Sequence, residues 1–374
     1  MGIDVRRGAP GTYRLATLVG MNRASLVAAL AFTALGFAHA QWETQTSNTT
    51  ADLRGIHSVG NGVAWASGTN GTVLRTEDSG FVWQGCAVPP GAEHLDFRGV
   101  QGFDANTAIV MSSGKGDLSR LYKTTDGCHT WKLVFTNPDA EGFWDAILLN
   151  RFDTDGELLG DPVNGSFTVF ETADRGETWT RTKHIGLRAI KDEGAFAASN
   201  SALFLEERFA IGLVTGGPLG ARILVNGGEQ ETDAFKPHVL PMKGNGPSAG
   251  AFSIEARDRC CWVVVGGDYA KPGDGAGSAV YTDDGGKTWQ ASQIPPHGYR
   301  SSVAYDGAIK TWITVGPNGT DVSYDDGKNW KAIHPDAALH EAPDADRNWN
   351  AISLPFVVGP KGRIGKLNVA RLRP

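Results

Sequence analysis

Three arginines recur in similar surroundings along the 374-residue chain: Arg54 in "LRGI", Arg98 in "FRGV" and Arg300 in "YRSSV", with Asp145 in "WDAI" at a comparable place. A guanidinium presents a planar fork of donors, so several on one rim bind an anion or carboxylate in two-pronged fashion. The alternative for each is an ion pair with an acid or carbonyl of a neighbouring element. A second group places acids in glycine-rich turns: Asp161 in "LLGDPVNG", Asp268 and Tyr269 in "VVVGGDYAKP", and Asp321 in "VGPNGTDVS". Two carboxyl groups facing each other about 5 to 10 Å apart can hydrolyse a glycosidic bond. On that count Asp145, Asp161 and Asp268 are the catalytic candidates. Turn chemistry alone also explains Asp and Gly in such places, because Asp bonds the backbone ahead of it and Gly accepts a positive φ. The longest polar loop of this group, "GGDYAKPGDGAGS" (266–278), is the candidate for contact with a partner.

Other chemistries are not signalled. The 35 Lys+Arg stand against 41 Asp+Glu, a net charge of −6, with no basic block or basic–aromatic stripe, so nucleic acid is not an expected partner. "VTGGPLGAR" (214–222) lacks the Lys-Ser/Thr of a phosphate loop, and no G-x-G-x-x-G opens a helix, so no cofactor is expected. The histidines are scattered without metal-ligand spacing, and no metal is expected either. Cys86 and Cys128 fall near the ends of successive units and can pair, or all four cysteines can remain thiols. Cys260 and Cys261 are adjacent, and on a strand their side chains would point to opposite faces.

Repetition identifies the elements that must position these side chains. The phrases "RTEDSGFVW", "KTTDGCHTW", "ETADRGETW", "YTDDGGKTW" and "SYDDGKNW" share the frame Ser/Thr-x-Asp-x-Gly-x-x-Trp. Its Asp–Trp pairs are Asp78 and Trp83, Asp126 and Trp131, Asp174 and Trp179, Asp284 and Trp289, and Asp325 and Trp330. The frame reads as a hairpin: Asp pins a tight turn, Gly supplies positive φ, and Trp heads the next strand as a plate for packing. In the second copy Cys128 stands where Gly is expected. Thr76, Thr124 and Thr172 are 48 residues apart. The gap from Thr172 to Thr282 is 110 residues, which leaves room for a unit without the phrase, its remnant "ARILVNGGEQ". Each unit offers four short apolar or alternating runs, as in "FRGVQGF", "NTAIVMSS", "SRLYKTT" and "TWKLVFT". Four strands per unit of about 48 residues describe the blade of an all-β, seven-bladed propeller over residues 41–374. The last unit lacks a fourth strand and "QWETQTS" has no unit of its own, so the N-terminal strand is expected to close the ring.

The segment "MNRASLVAALAFTALGFAHAQ" has a basic start, a short apolar core and an A-x-A site before Gln41. It reads as a signal peptide over 21–40, with residues 1–20 a non-native extension. The expectation is export to the periplasm or medium, no membrane span after cleavage, and a monomer.

These turns resemble the Asp-box (BNR) repeats of sialidases, sortilin-type propellers and the photosystem II stability/assembly factor family. The strings "FWDAILLNRFDTDGELLGDPVNGSF", "EGAFAASNSALF", "VVVGGDYAKP" and "VGPNGTDVSYDDGKNW" resemble a bacterial branch of exported propellers related to those assembly factors. That resemblance implies a non-catalytic docking platform for protein or peptide partners. Sialidases imply instead an Arg triad with an Asp and a Tyr/Glu pair, but Arg98 is followed by Gly99 and Val100 rather than Ile-Pro, and no Tyr/Glu pair stands out. The rival expectation is a glycoside hydrolase that binds carbohydrate through carboxylates at the channel mouth.

Overall fold

Short apolar runs broken every few residues by Gly, Asp, Asn and Pro favour strands over helices. The computed structural model describes residues 41–372 apart from 151–153, 207–209 and 228–233. The expected extension (1–20) and signal segment (21–40) lie outside the described residues. Within them the chain forms seven four-stranded antiparallel sheets, accompanied by three brief 3-10 turns. Blades 1 to 6 are consecutive, at residues 53–85, 97–136, 144–181, 203–239, 249–291 and 302–333. Blade 7 combines the strands Ala351–Ser353, Phe356–Val358 and Ile364–Leu367 with Trp42–Gln45 from the N-terminal end. Trp42 pairs with Leu367 and Gln45 with Ile364, so the N-terminal strand supplies the fourth strand of the last blade and the ring closes as expected.

The first strand of each blade packs against the first strands of its neighbours around the ring. Second and third strands are covered on both faces by adjacent blades, which is why Trp262–Asp268 and Thr311–Gly316 are nearly continuous apolar or small-residue runs and almost wholly buried. Aromatic plates fill the seams: Trp83 meets Phe356 edge-on at 5.4 Å between blades 1 and 7, and Phe204 meets Trp262 at 4.9 Å between blades 4 and 5. Such pairs add about 0.5–1.5 kcal/mol each beyond the area they bury.

All five copies of the repeated phrase form one turn between third and fourth strands. In blade 5 the Thr282 hydroxyl donates to Asp284 Oδ1 at 2.7 Å and accepts from the Gly286 N–H, while Oδ1 also accepts from the Thr288 N–H at 2.9 Å. The Gly position has φ +81° at Gly286, and a Cβ there would lie 2.5 Å from Trp262. Cys128 holds the same place in blade 2 with φ 67° and is joined to Cys86 by a disulfide. In blade 4 the turn after Arg222–Gly227 falls largely in residues 228–233, outside the described residues.

One expectation is corrected. Cys260 and Cys261 do not lie on a strand with side chains opposed; they occupy the turn before Trp262–Asp268, and their sulfurs are 3.2 Å apart. The Asp258 carboxylate accepts both of their backbone N–H groups and folds the turn back on itself.

Candidate functional site

The first strands begin at one end of the channel, and four of them carry an extra residue there. In blade 1 the pairing skips from Leu53 to Gly55, in blade 2 from Phe97 to Gly99, in blade 3 from Trp144 to Ala146, and in blade 5 from Ala251 to Ser253. The skipped residues are Arg54, Arg98, Asp145 and Phe252. A bulge leaves its extra residue outside the ladder and re-aims its side chain. All four line one cavity of about 420 Å³ at the channel mouth, joined by Ser301 of blade 6 and Asn350 of blade 7 at the equivalent place. Blade 4 contributes the loop Ala195–Ala198 that precedes its first strand.

Hydroxyl hydrogen bonds link the inner ends of blades 4, 5 and 6. Ser199 donates to the Ser301 carbonyl at 2.7 Å, Ser201 to Ser253 at 2.8 Å, and Ser253 Oγ accepts the Val303 N–H at 3.0 Å. Asn200 imitates a backbone unit, accepting from the Ile147 N–H at 2.8 Å and donating to the Ile147 carbonyl at 3.0 Å. These bonds tie blades 3 to 6 together.

The walls differ in charge. On one side Asp96 stands between the two arginines: Arg98 Nε donates to its Oδ2 at 2.8 Å, and Arg54 Nε lies 3.8 Å from Oδ1 without a hydrogen bond. Arg98 also donates to the Ala197 carbonyl at 3.2 Å. On the other side are two acids of blade 3. Asp145 is 1% exposed, and its Oδ2 has no hydrogen-bond partner. Burial first, then the Asp161 charge, push its carboxyl well above the usual range, with Arg98 pulling the other way. Asp161 accepts the Ala195 N–H at 3.0 Å, yet burial raises its carboxyl to about 6. Phe196 and Phe252 stack at 3.8 Å, Tyr299 meets Phe252 edge-on at 4.8 Å, and Tyr269 meets Phe252 at 6.1 Å. All four rings line the mouth. A second cavity of about 650 Å³ shares Asp161, Ala195 and Phe196 and extends over the loop 189–196 between blades 3 and 4. Its Glu193 is held by Arg222, whose Nε donates to Oε1 at 2.7 Å.

Of the residues singled out in the sequence, Arg54, Arg98, Asp145, Asp161 and Tyr269 meet at this mouth. Arg300 and Asp321 do not. Arg300 is fully buried, its Nε donating to Asp321 Oδ2 at 2.8 Å and its Nη1 to Asn318 at 2.6 Å. Burial alone would raise the Asp321 carboxyl, but the His297 hydrogen bond at 2.8 Å and the Arg300 charge hold it below the usual range. The pair is a structural clasp between the third strand and the loop before blade 6, so the three arginines do not share one rim. Asp268 is engaged in its own turn, accepting the Ala270 N–H at 3.0 Å with Lys271 Nζ 3.5 Å away. The acids that share a cavity are therefore Asp145 and Asp161.

Sequence reasoning missed Asp96 and the rings of Phe196, Phe252 and Tyr299. Phe252 carried a usable signal, standing two residues before the aliphatic Ile254 as Arg98 does before Val100. Two groups with metal-ligand donors also escaped it: Asp258 with Cys260 and Cys261, gathered by a single local turn, and Glu157 with Glu171 and His184, brought together by tertiary structure. In the second, His184 Nε2 lies 2.7 Å from Glu171 Oε1, and burial, Glu171 and Asp155 push the Glu157 carboxyl up to about 8.

Comparison with known proteins agrees with this architecture. Residues 280–291 match the BNR/Asp-box repeat family. The photosystem II assembly lipoprotein Ycf48 of Picosynechococcus sp. is 27% identical over 330 residues, 76% of this chain and 86% of the relative. The structure of YCF48 bound to a D1 peptide superposes with TM-score 0.60 at 18% identity, covering 87% of this chain and 96% of that one. YCF48 from Cyanidioschyzon merolae gives 0.59 at 16% identity, covering 88% and 100%. The chain is a seven-bladed β-propeller that carries an Asp-box repeat at residues 280–291 and is similar to the photosystem II assembly lipoprotein Ycf48 over most of its length.

Proposed function

We propose that the chain is an exported, non-catalytic propeller whose channel mouth binds a segment of a protein partner and so acts as an assembly scaffold. The observation that carries this reading is the bulge set. Separate blades place an off-ladder residue at one mouth, where charged groups of both signs and four aromatic rings line one cavity. Pockets of this kind, mostly apolar with a few convergent polar groups, suit ligand recognition. The adjoining cavity over loop 189–196 extends the surface to the length of a peptide rather than a lone small molecule. A related fold that holds a D1 peptide supports a peptide as the ligand class. The partner is not specified to be photosynthetic. Export and a monomeric state belong to the same reading; the disulfide between Cys86 and Cys128 suits an oxidising compartment. Among the described residues no helix is long and apolar enough to cross a membrane.

The test is affinity capture from the host envelope with wild-type protein and with the Arg54→Ala/Tyr269→Ala variant, followed by peptide-array binding of what co-purifies. A partner retained by wild type and lost by the variant supports the reading. Equal capture by both places binding elsewhere and defeats it.

A second reading rests on Asp145 and Asp161, one buried and one half-buried carboxyl with raised proton affinity in one cavity, as an acid and base of a glycoside hydrolase require. Release of reducing sugar from a polysaccharide panel, abolished by Asp145→Asn, would establish it.

A further inference from the structure

The carboxyl of Asp145 is an anomaly that a docking platform does not by itself explain. It is 1% exposed, sits at the mouth of an open cavity, and leaves Oδ2 without any partner. Buried polar atoms in folded proteins are nearly always satisfied, and an unsatisfied one costs about 1–3 kcal/mol. Protonation removes the charge but supplies no acceptor for the added proton. A ligand donor would satisfy the atom.

The charges at the mouth indicate which donor. Arg54 and Arg98 bring two positive charges, and Asp96, lying between them, takes up one. Asp145 and Asp161 bring two further carboxyls from blade 3, close enough that the charge of the second suppresses ionisation of the first. With all three acids ionised the mouth holds one negative charge in excess, located on the blade 3 wall. Asp161, which spends Oδ1 on the Ala195 N–H, and Asp145 line the same cavity as the stacked rings of Phe196 and Phe252. Tyr269 and Tyr299 complete that aromatic wall. Carboxylates beside aromatic faces form the environment that holds an alkylammonium group, the rings through their negative faces and the acids through charge-assisted hydrogen bonds.

We propose that the blade 3 side of the channel mouth is a subsite for a primary ammonium group of the bound partner, held by Asp145 and Asp161 against the Phe196–Phe252–Tyr269–Tyr299 wall. The inference rests on the peptide-binding reading and specifies the group recognised. Lysine side chains and chain N-termini share this chemistry. Binding ionises Asp145, and its proton leaves to solvent as the ammonium arrives, so occupancy weakens as pH falls; protonation of Asp161, at about 6 in the free protein, adds to that loss. The groups facing Asp145 that set this dependence are Asp161, Arg98 and, across the mouth, the Arg54–Asp96 pair.

Calorimetry with small probes tests the subsite apart from the peptide reading. Nα-acetyl-lysine-N-methylamide is compared with its Nε-acetylated form and with alanine N-methylamide, which carries only a free α-amine. The expected result at pH 7.5 is at least ten-fold tighter binding of one free-amine probe than of the acetylated one. The tighter of the two identifies the source as side chain or terminus. Asp145→Asn should lower that affinity at least ten-fold and abolish proton release measured in buffers of different ionisation heat. If Asp145→Asn does not fold, Asp161→Asn together with the wild-type pH profile from 5 to 8 gives the same readout. Equal binding of charged and acetylated probes, or no binding of any, overturns the subsite. If a captured partner still binds in either case, the peptide reading survives; if the probes behave as expected and no partner segment binds, the subsite stands and the scaffold reading falls.

Discussion

Asp145 is to blade 3 what Arg98 is to blade 2: each is the residue skipped by the pairing of its first strand, and each is delivered by that bulge to the same cavity. Their charges are opposite and their scaffolds equivalent, so the same backbone position brings a cation to the mouth from one blade and an acid from the next.

Arg54 and Arg300 should therefore respond differently to removal. Arg54→Ala takes away a half-exposed side chain with no hydrogen bond at Nε, and should leave the thermal midpoint nearly unchanged while altering partner affinity. Arg300→Ala leaves Asp321 charged and buried, a loss of about 3–5 kcal/mol of stability. Paired thermal melts and binding assays check the contrast; equal destabilisation by both would contradict it.

Raised carboxyls make folding stability fall with pH. Glu157, at about 8 in the folded chain, is protonated there while its unfolded counterpart is already ionised above about 4.5. The folded state then binds more protons than the unfolded state, so its stability declines as pH rises from about 4.5 to 8. Asp161 adds a narrower decline that ends near 6. Glu157→Gln should flatten the pH dependence of the melting temperature between pH 6 and 8; an unchanged slope would count against burial of that carboxyl.

The repeated turns behave oppositely. Asp126 and Asp174 are held at about 2, chiefly by hydrogen bonds from Thr130 and Thr178 respectively, so their contribution is intact above about 4 and disappears as pH falls toward 2. Asp284→Ala removes two acceptors for backbone and hydroxyl donors and should cost about 1–2 kcal/mol in denaturant titration at neutral pH, and less once acid has protonated that carboxylate.

The Cys86–Cys128 bond spans 42 residues and links successive blades. The chain-entropy model assigns a loop of that size about 4 kcal/mol. Thiol counting in the native protein should find only Cys260 and Cys261, with Cys260, the exposed one, labelled first. Cys86→Ala/Cys128→Gly should lower the melting temperature, the glycine restoring the residue that the positive φ at this position favours. A fully reducible pair with an unaltered melt would refute this assignment.

Much of the fold was legible because its signal is local and repeated. Thr, Asp, Gly and Trp at fixed spacing mark each hairpin, and the absent fourth strand of the last unit foretold its pairing with Trp42–Gln45. The mouth was only partly legible, and Arg300 shows why. Arg98 stands two residues before Val100, whereas Arg300 stands three before Val303, with Ser301 in the intervening place. A shift of one residue turns a side chain to the other face of a strand. "FRGV" and "YRSSV" look alike, but the second aims its arginine into the blade and a serine at the channel. Asp96, Phe196 and Tyr299 come from loops whose path depends on packing between blades, and no spacing in the chain encodes that.

The serine bonds have a consequence for stiffness. Ser199, Ser201 and Ser253 join the inner ends of blades 4, 5 and 6 by side-chain hydrogen bonds in addition to packing. A displacement of any one of these blades must strain its bonds to the other two.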